Sequence, residues 1–94
     1  MATFQVTETV VCEIEVRDSD GTLTSPADSM TISIYDPQNT AVVSDTAMEE
    51  DSTGMFHYDY TSASTALHGE YRVRYKADDG TRITIGIDTF RLED

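Results

Sequence analysis

Gly69-Glu-Tyr-Arg-Val-Arg-Tyr-Lys-Ala77 decides the fold. Tyr71, Val73, Tyr75 and Ala77 fall at every second position, and Glu70, Arg72, Arg74 and Lys76 fill the positions between them. Successive side chains of a strand point to opposite faces, so this segment reads as a strand with one buried and one wet side. Toward the N-terminus the same period recurs. Ser29–Tyr35 places Met30, Ile32 and Ile34 inward, and Met55–Thr61 places Phe56, Tyr58 and Tyr60 on one face. From Phe4 to Arg17, Val10, Cys12, Ile14 and Val16 oppose Val11, Glu13, Glu15 and Arg17. That run is long for one strand, which predicts a bend near Thr7–Thr9 or service in two sheets. Ala41–Ser44 reads as a short strand. The acidic stretch Asp45–Ser52 reads as a short edge strand or a mobile loop anchored by Met48. Ser62–His68 lacks alternation, with Leu67 expected to plug the end of the core.

Turn chemistry separates these runs. Asp18-Ser-Asp-Gly21 offers a glycine for positive φ, and Asp36-Pro-Gln-Asn39 puts proline where its fixed φ fits a β-turn. Pro26 keeps Thr24–Asp28 irregular or on an edge. Asp78-Asp-Gly80 is the strongest hairpin signal. After it, Ile83, Ile85 and Ile87 are in phase with one another and out of phase with Phe90 and Leu92. Such a flip predicts a bulge or a change of buried face, placed at Gly86 or Asp88–Thr89. The chain therefore reads as all-β, a single domain over residues 1–94. The expected architecture is an immunoglobulin-like antiparallel β-sandwich of about seven strands. Tryptophan is absent and Cys12 is the only cysteine, so the Cys…Trp…Cys mark of true immunoglobulin domains is missing and only the architecture is expected.

Eighteen acidic residues against six basic ones give a net charge of −12. That charge disfavours nucleic acid and anionic membranes as partners. It favours solubility, a basic partner surface, bound cations or a high-salt setting. The start Met1-Ala-Thr-Phe-Gln-Val-Thr-Glu has neither a basic n-region nor an apolar h-region, so no signal peptide is read and synthesis and folding in the cytoplasm are expected. No apolar run approaches the roughly 20 residues of a membrane helix. Cys12, in phase with its apolar neighbours, is expected as a buried thiol without a disulfide.

No catalytic constellation is visible, and an enzyme is not expected. His57 and His68 are the only imidazoles, and His57 reads as a strand-face residue beside Asp59. Asp18 and Asp20 with Gly21 resemble the start of a calcium loop, and Asp78, Asp79 and Glu49–Asp51 are carboxylates that could join them in space. The remaining ligands of such a loop are missing, so a structural turn is the stronger reading, with no cofactor expected. Arg72, Arg74 and Lys76 are half of the basic residues and share one strand face. Pairing with cross-strand carboxylates such as Glu13, Glu15 or Asp59 is the first expectation, and a contact patch for an acidic partner is the second.

Three blocks carry a family resemblance: Met30-Thr-Ile-Ser-Ile-Tyr-Asp-Pro-Gln-Asn39, Glu50-Asp-Ser-Thr-Gly-Met-Phe-His-Tyr-Asp-Tyr60 and Leu67-His-Gly-Glu-Tyr-Arg-Val-Arg-Tyr-Lys-Ala77. Together the chain from Asp28 onward resembles small immunoglobulin-like structural proteins of tailed bacterial and archaeal viruses. It departs from that pattern where Tyr71 or Tyr75 stands for a tryptophan, and where Asn39 stands for the glycine of Asp-Pro-x-Gly. The resemblance implies a virion component of head, neck or tail, such as a capsid decoration or connector, whose partners are other virion proteins and copies of itself. It also makes Thr3–Val11 a candidate for reaching into a neighbour. The rival reading is a cation- or carbohydrate-binding module of a cell-surface protein.

Overall fold

The computed structural model describes residues 2–26, 28–80 and 82–93. Eight strands run in chain order: β1 (Ala2–Gln5), β2 (Thr9–Glu15), β3 (Ser29–Tyr35), β4 (Ala41–Ala47), β5 (Glu49–Ser52), β6 (Met55–Thr61), β7 (Gly69–Asp78) and β8 (Ile83–Glu93). They form a five-stranded sheet in the order β1-β8-β7-β3-β4 and a three-stranded sheet in the order β2-β6-β5. Every ladder is antiparallel except β1 on β8, which is parallel. The architecture is an all-β sandwich.

Eight strands replace the expected seven or so, and the cause is local. The Phe4–Arg17 run breaks at residues 6–8, where Thr7 takes φ 73°. The chain then crosses from β1 in one sheet to β2 in the other, so the expected bend and the expected sharing between sheets are the same event. Within Thr3–Val11, residues 3–5 belong to β1 and residues 9–11 to β2. β3 and β6 have the expected ends. β4 runs on to Ala47, and the acidic stretch forms the edge strand β5 with Met48 buried before it.

The core is drawn from both sheets. Val10, Cys12 and Phe56 face Met30, Ile32, Ile34, Val73, Tyr75, Phe90 and Leu92. Phe90 stacks on Tyr71 at 5.2 Å and meets Phe4 edge-on at 6.3 Å and Tyr60 at 6.2 Å, joining four strands at one end. The Tyr71 hydroxyl donates to the Leu67 carbonyl at 2.8 Å, tying the loop after β6 to the start of β7. Leu67 itself is 40% exposed, against the expectation that it plugs the core. Its backbone is the anchored part, and Ala66 packs inward in its place.

Two glycines are held by close backbone approach. Gly54, at φ 77°, stands where an added Cβ would lie 2.8 Å from both the Thr24 nitrogen and the Val16 oxygen. Gly69, at φ 134°, lies against Pro37, 3.0 Å from a Cβ to the proline Cγ. The Asp-Pro turn and the Gly-Glu-Tyr strand start, distant in sequence, therefore pack on each other.

Candidate functional site

The hairpin of β7 and β8 pairs without a register shift from Gly69↔Leu92 to Asp78↔Ile83. The parity flip in β8 is therefore a change of buried face and not a bulge. In the C-terminal part, Phe90 and Leu92 point into the core. In the N-terminal part, Thr84, Gly86 and Asp88 take that inner parity, while Ile83, Ile85 and Ile87 stand outside, 58%, 44% and 63% exposed. Gly86 cannot fill the core itself; the Ile14 Cδ1 comes to 3.5 Å of where its Cβ would be.

The register places each isoleucine beside a charged residue of β7: Ile87 beside Arg74, Ile85 beside Lys76 and Ile83 beside Asp78. On the far side of β7 stand Ser33 beside Arg74 and Thr31 beside Lys76. Arg72 lies over the Tyr35 ring at 5.3 Å and hydrogen-bonds the Asn39 side-chain oxygen. The expected ion pairs with Glu13, Glu15 or Asp59 are not formed. Those carboxylates sit on β2 and β6 in the other sheet, and among the described residues Arg74 and Lys76 have no carboxylate partner. Arg72, Arg74 and Lys76 thus flank an apolar stripe on the outer face of the five-stranded sheet.

The edge of β8 is divided in the same way as its faces. β1 covers only Phe90–Glu93. Glu93 accepts a hydrogen bond from the Val6 N–H on the β1 side, and Arg82 accepts one from Asp79 on the β7 side. Backbone direction alternates along a strand, so odd-numbered residues of β8 aim their N–H and C=O groups at the β1 side. Among the described residues, Ile83, Ile85 and Ile87 therefore present unpaired backbone at an open edge. The Thr89 N–H, next in the series, is taken by the Asp88 side chain at 2.8 Å. Beneath this edge the sandwich is incompletely closed against β2. Two grooves of about 230 Å³ each lie there, one lined by Ile14, Val16, Met30 and Thr84, the other by Val11, Glu13, Val73 and Asp88.

Two of the acidic candidates, Asp18 and Asp78, serve their turns. Asp18 Oδ1 accepts the Asp20 and Thr22 N–H groups at 2.9 and 3.0 Å. Asp36 does the same for Gln38 and Thr40 in a turn that carries no cation signature. Asp78 Oδ1 accepts the Gly80 N–H at 2.9 Å. Asp18 and Asp79 do line one cleft, in company with Arg17 and Arg82, whose charges oppose a cation there. Among the described residues no group of three or more His, Cys, Asp or Glu side chains is placed to hold a metal ion.

His57 is less solitary than the sequence implies. Its Nδ1 lies 2.7 Å from an Asp51 carboxylate oxygen and its Nε2 lies 3.2 Å from Glu49. Both partners are on β5, which is exposed along its whole length. The Asp51 hydrogen bond and the neighbouring carboxylates raise the imidazole's pKa, against a smaller opposing effect of burial. Two carboxylates on two ring nitrogens suit the imidazolium, which pins the acidic edge strand to β6. The Glu49↔His57 register makes that pair, but no period in Asp45–Ser52 reveals it. Burial pushes the Cys12 thiol up to about 11, with Asp88 and Asp59 adding to the shift, so the group stays protonated near neutral pH. Tyr75 is raised by burial in the same layer. No helix among the described residues is long and apolar enough to cross a membrane. Compared with known proteins, the chain matches no family model, no curated protein and no solved structure.

Proposed function

We propose that this chain is a non-enzymatic, immunoglobulin-like structural module of a tailed-virus particle that works through protein–protein contacts. The observation that carries the proposal is the outer face of β7 and β8, where three exposed isoleucines lie beside half of the chain's positive charge. A strand that holds its isoleucines on the outside, while a glycine and two exposed polar residues take the inner parity, is shaped for a surface that becomes covered. The mixture of an apolar stripe with a basic rim suits a protein partner better than a small ligand.

Several features support the immunoglobulin-like part. The order β1-β8-β7-β3-β4 over β2-β6-β5 is the arrangement of a GFC sheet, extended at both ends, facing a BED sheet. The Tyr71 hydrogen bond to Leu67 has the form of the tyrosine corner at the start of the F strand. Two residues on, at the place of the second cysteine in antibody domains, is Val73, which lines the same groove as Cys12 of β2. The contact between Pro37 and Gly69 joins two of the three sequence blocks that resemble the viral family.

Location in the virion, in head, neck or tail, and partnership with other virion proteins and further copies of the chain follow from the same reading. Mass spectrometry of gradient-purified particles from a culture producing the chain tests it. Stoichiometric presence that survives high salt is expected. A chain left in the monomeric, particle-free fraction at every salt concentration contradicts it.

A further inference from the structure

We infer that the open edge of β8 pairs with the same edge of a second copy, antiparallel about Ile85, to give one continuous sheet across two sandwiches. The inference rests on the outer face of β7–β8 being a contact surface and names its occupant. Four observations select a second copy. Ile83, Ile85 and Ile87 are symmetric about Ile85, so antiparallel pairing sets Ile85 opposite Ile85 of the second copy and Ile83 opposite its Ile87. The same three residues direct their N–H and C=O groups outward, as the hydrogen bonds of Glu93 and Arg82 fix. All three pairs are therefore hydrogen-bonded ones, and the unpaired backbone of both edges is satisfied together.

The third observation is length. β1 begins opposite Phe90, so the free edge is long enough for the facing Ile83–Ile87 segment and ends where the other copy's hairpin turn arrives. The fourth is charge. β8 contributes no charged side chain to the outer face between Ile83 and Thr89, so no charge meets another directly across the joint, and Arg74 of each copy stands as far from Asp78 of the other as the two Lys76 side chains stand from each other. The two Lys76 side chains share the central row three strand spacings apart, roughly 14 Å. That exceeds the Debye length of about 8 Å at physiological ionic strength. The joint is isologous and closes on itself as a dimer.

An edge-to-edge joint of this length belongs to the small interfaces, below roughly 1,200 Å². With −12 on each copy, the dimer is concentration-dependent and strengthens as salt screens the repulsion. An acidic partner docked on Arg72, Arg74 and Lys76 has the opposite salt dependence.

The test is register-specific cross-linking of the full chain, with Cys12 left buried in the core. Facing residues in a hydrogen-bonded antiparallel pair have Cα atoms about 5.5 Å apart, within disulfide range. Ile85→Cys is expected to oxidise to a covalent dimer. Ile87→Cys alone is expected to give at most a tenth of that yield, because its two copies are four residues out of register. A mixture of Ile83→Cys and Ile87→Cys restores the cross-link. Equal yields from all three single variants, or no dimer from Ile85→Cys at any salt concentration, overturn the pairing. Ile85→Lys in particle incorporation separates the two levels. Loss of incorporation without Ile85→Cys cross-linking leaves the contact surface standing with another occupant. Unchanged incorporation of Ile85→Lys removes the contact surface itself.

Discussion

The two halves of β8 have the same backbone conformation, the same partner in β7 and an unbroken register, yet they are opposite in design. The C-terminal half turns Phe90 and Leu92 into the core and has its edge sealed by β1. The N-terminal half gives the inner parity to Thr84, Gly86 and Asp88, of which Thr84 and Asp88 are still exposed, shows Ile83, Ile85 and Ile87 to solvent, and leaves its edge open. One strand thus has one half buried by the protein's own core and one half whose apolar side chains stand in solvent. Hydrophobic alternation therefore reports a strand's two faces without saying which of them the protein buries in itself.

Truncating a side chain in each half of β8 should have unequal consequences for stability. Phe90→Ala removes three ring contacts and opens a cavity, so a loss of about 3–5 kcal/mol is expected in chemical denaturation. Ile87→Ala, equally apolar in sequence, is expected to stay within about 0.5 kcal/mol of the parent. Equal losses would erase the distinction. Next in size is Gly54→Ala. Its Cβ meets two backbone atoms that cannot move independently, and its φ is unfavourable for alanine. A loss of at least about 2 kcal/mol is expected, measured in the same assay. Tyr71→Phe keeps the ring stack on Phe90 and deletes only the corner hydrogen bond, for an expected cost of about 1 kcal/mol.

The smallest effect concerns the acidic edge strand β5. The folded state raises the pKa of His57 above its ordinary value of 6.5 through Asp51, Asp59 and Glu49. A group raised on folding contributes its full stabilisation below the unfolded-state pKa and loses it as pH climbs through the folded-state value. The melting-temperature gap between the parent and His57→Gln is therefore expected to be largest near pH 5 and to close above neutral pH. A gap that widens with pH would mean the imidazole is held neutral.

Much of the fold was legible. Alternation marked Ser29–Tyr35 and Met55–Thr61 to the residue, and placed Tyr71, Val73 and Tyr75 in the core. What stayed hidden depended on contacts between sheets. Arg72, Arg74 and Lys76 share a face in any strand reading, but the sheet holding Glu13, Glu15 and Asp59 is fixed only by the β2-β6-β5 ladder. The clamp on His57 needs the β5 register, which no period in Asp45–Ser52 announces. Asp18 and Asp20 resembled ligands because turn aspartates and calcium-loop aspartates use the same side chain. The hydrogen bonds to Asp18 Oδ1 show it doing the work of the turn.

Amide hydrogen exchange along β8 tests most directly whether its N-terminal half is built for contact. In dilute solution the amides of Ile83, Ile85 and Ile87 are expected to exchange quickly, while those of Thr84, Gly86 and Asp88, directed at β7, are protected. At high concentration and high salt, protection is expected to appear at the three isoleucine amides and nowhere else in the strand. Isoleucine amides that exchange at the same fast rate under both conditions, or that are already protected in the dilute monomer, would contradict the account.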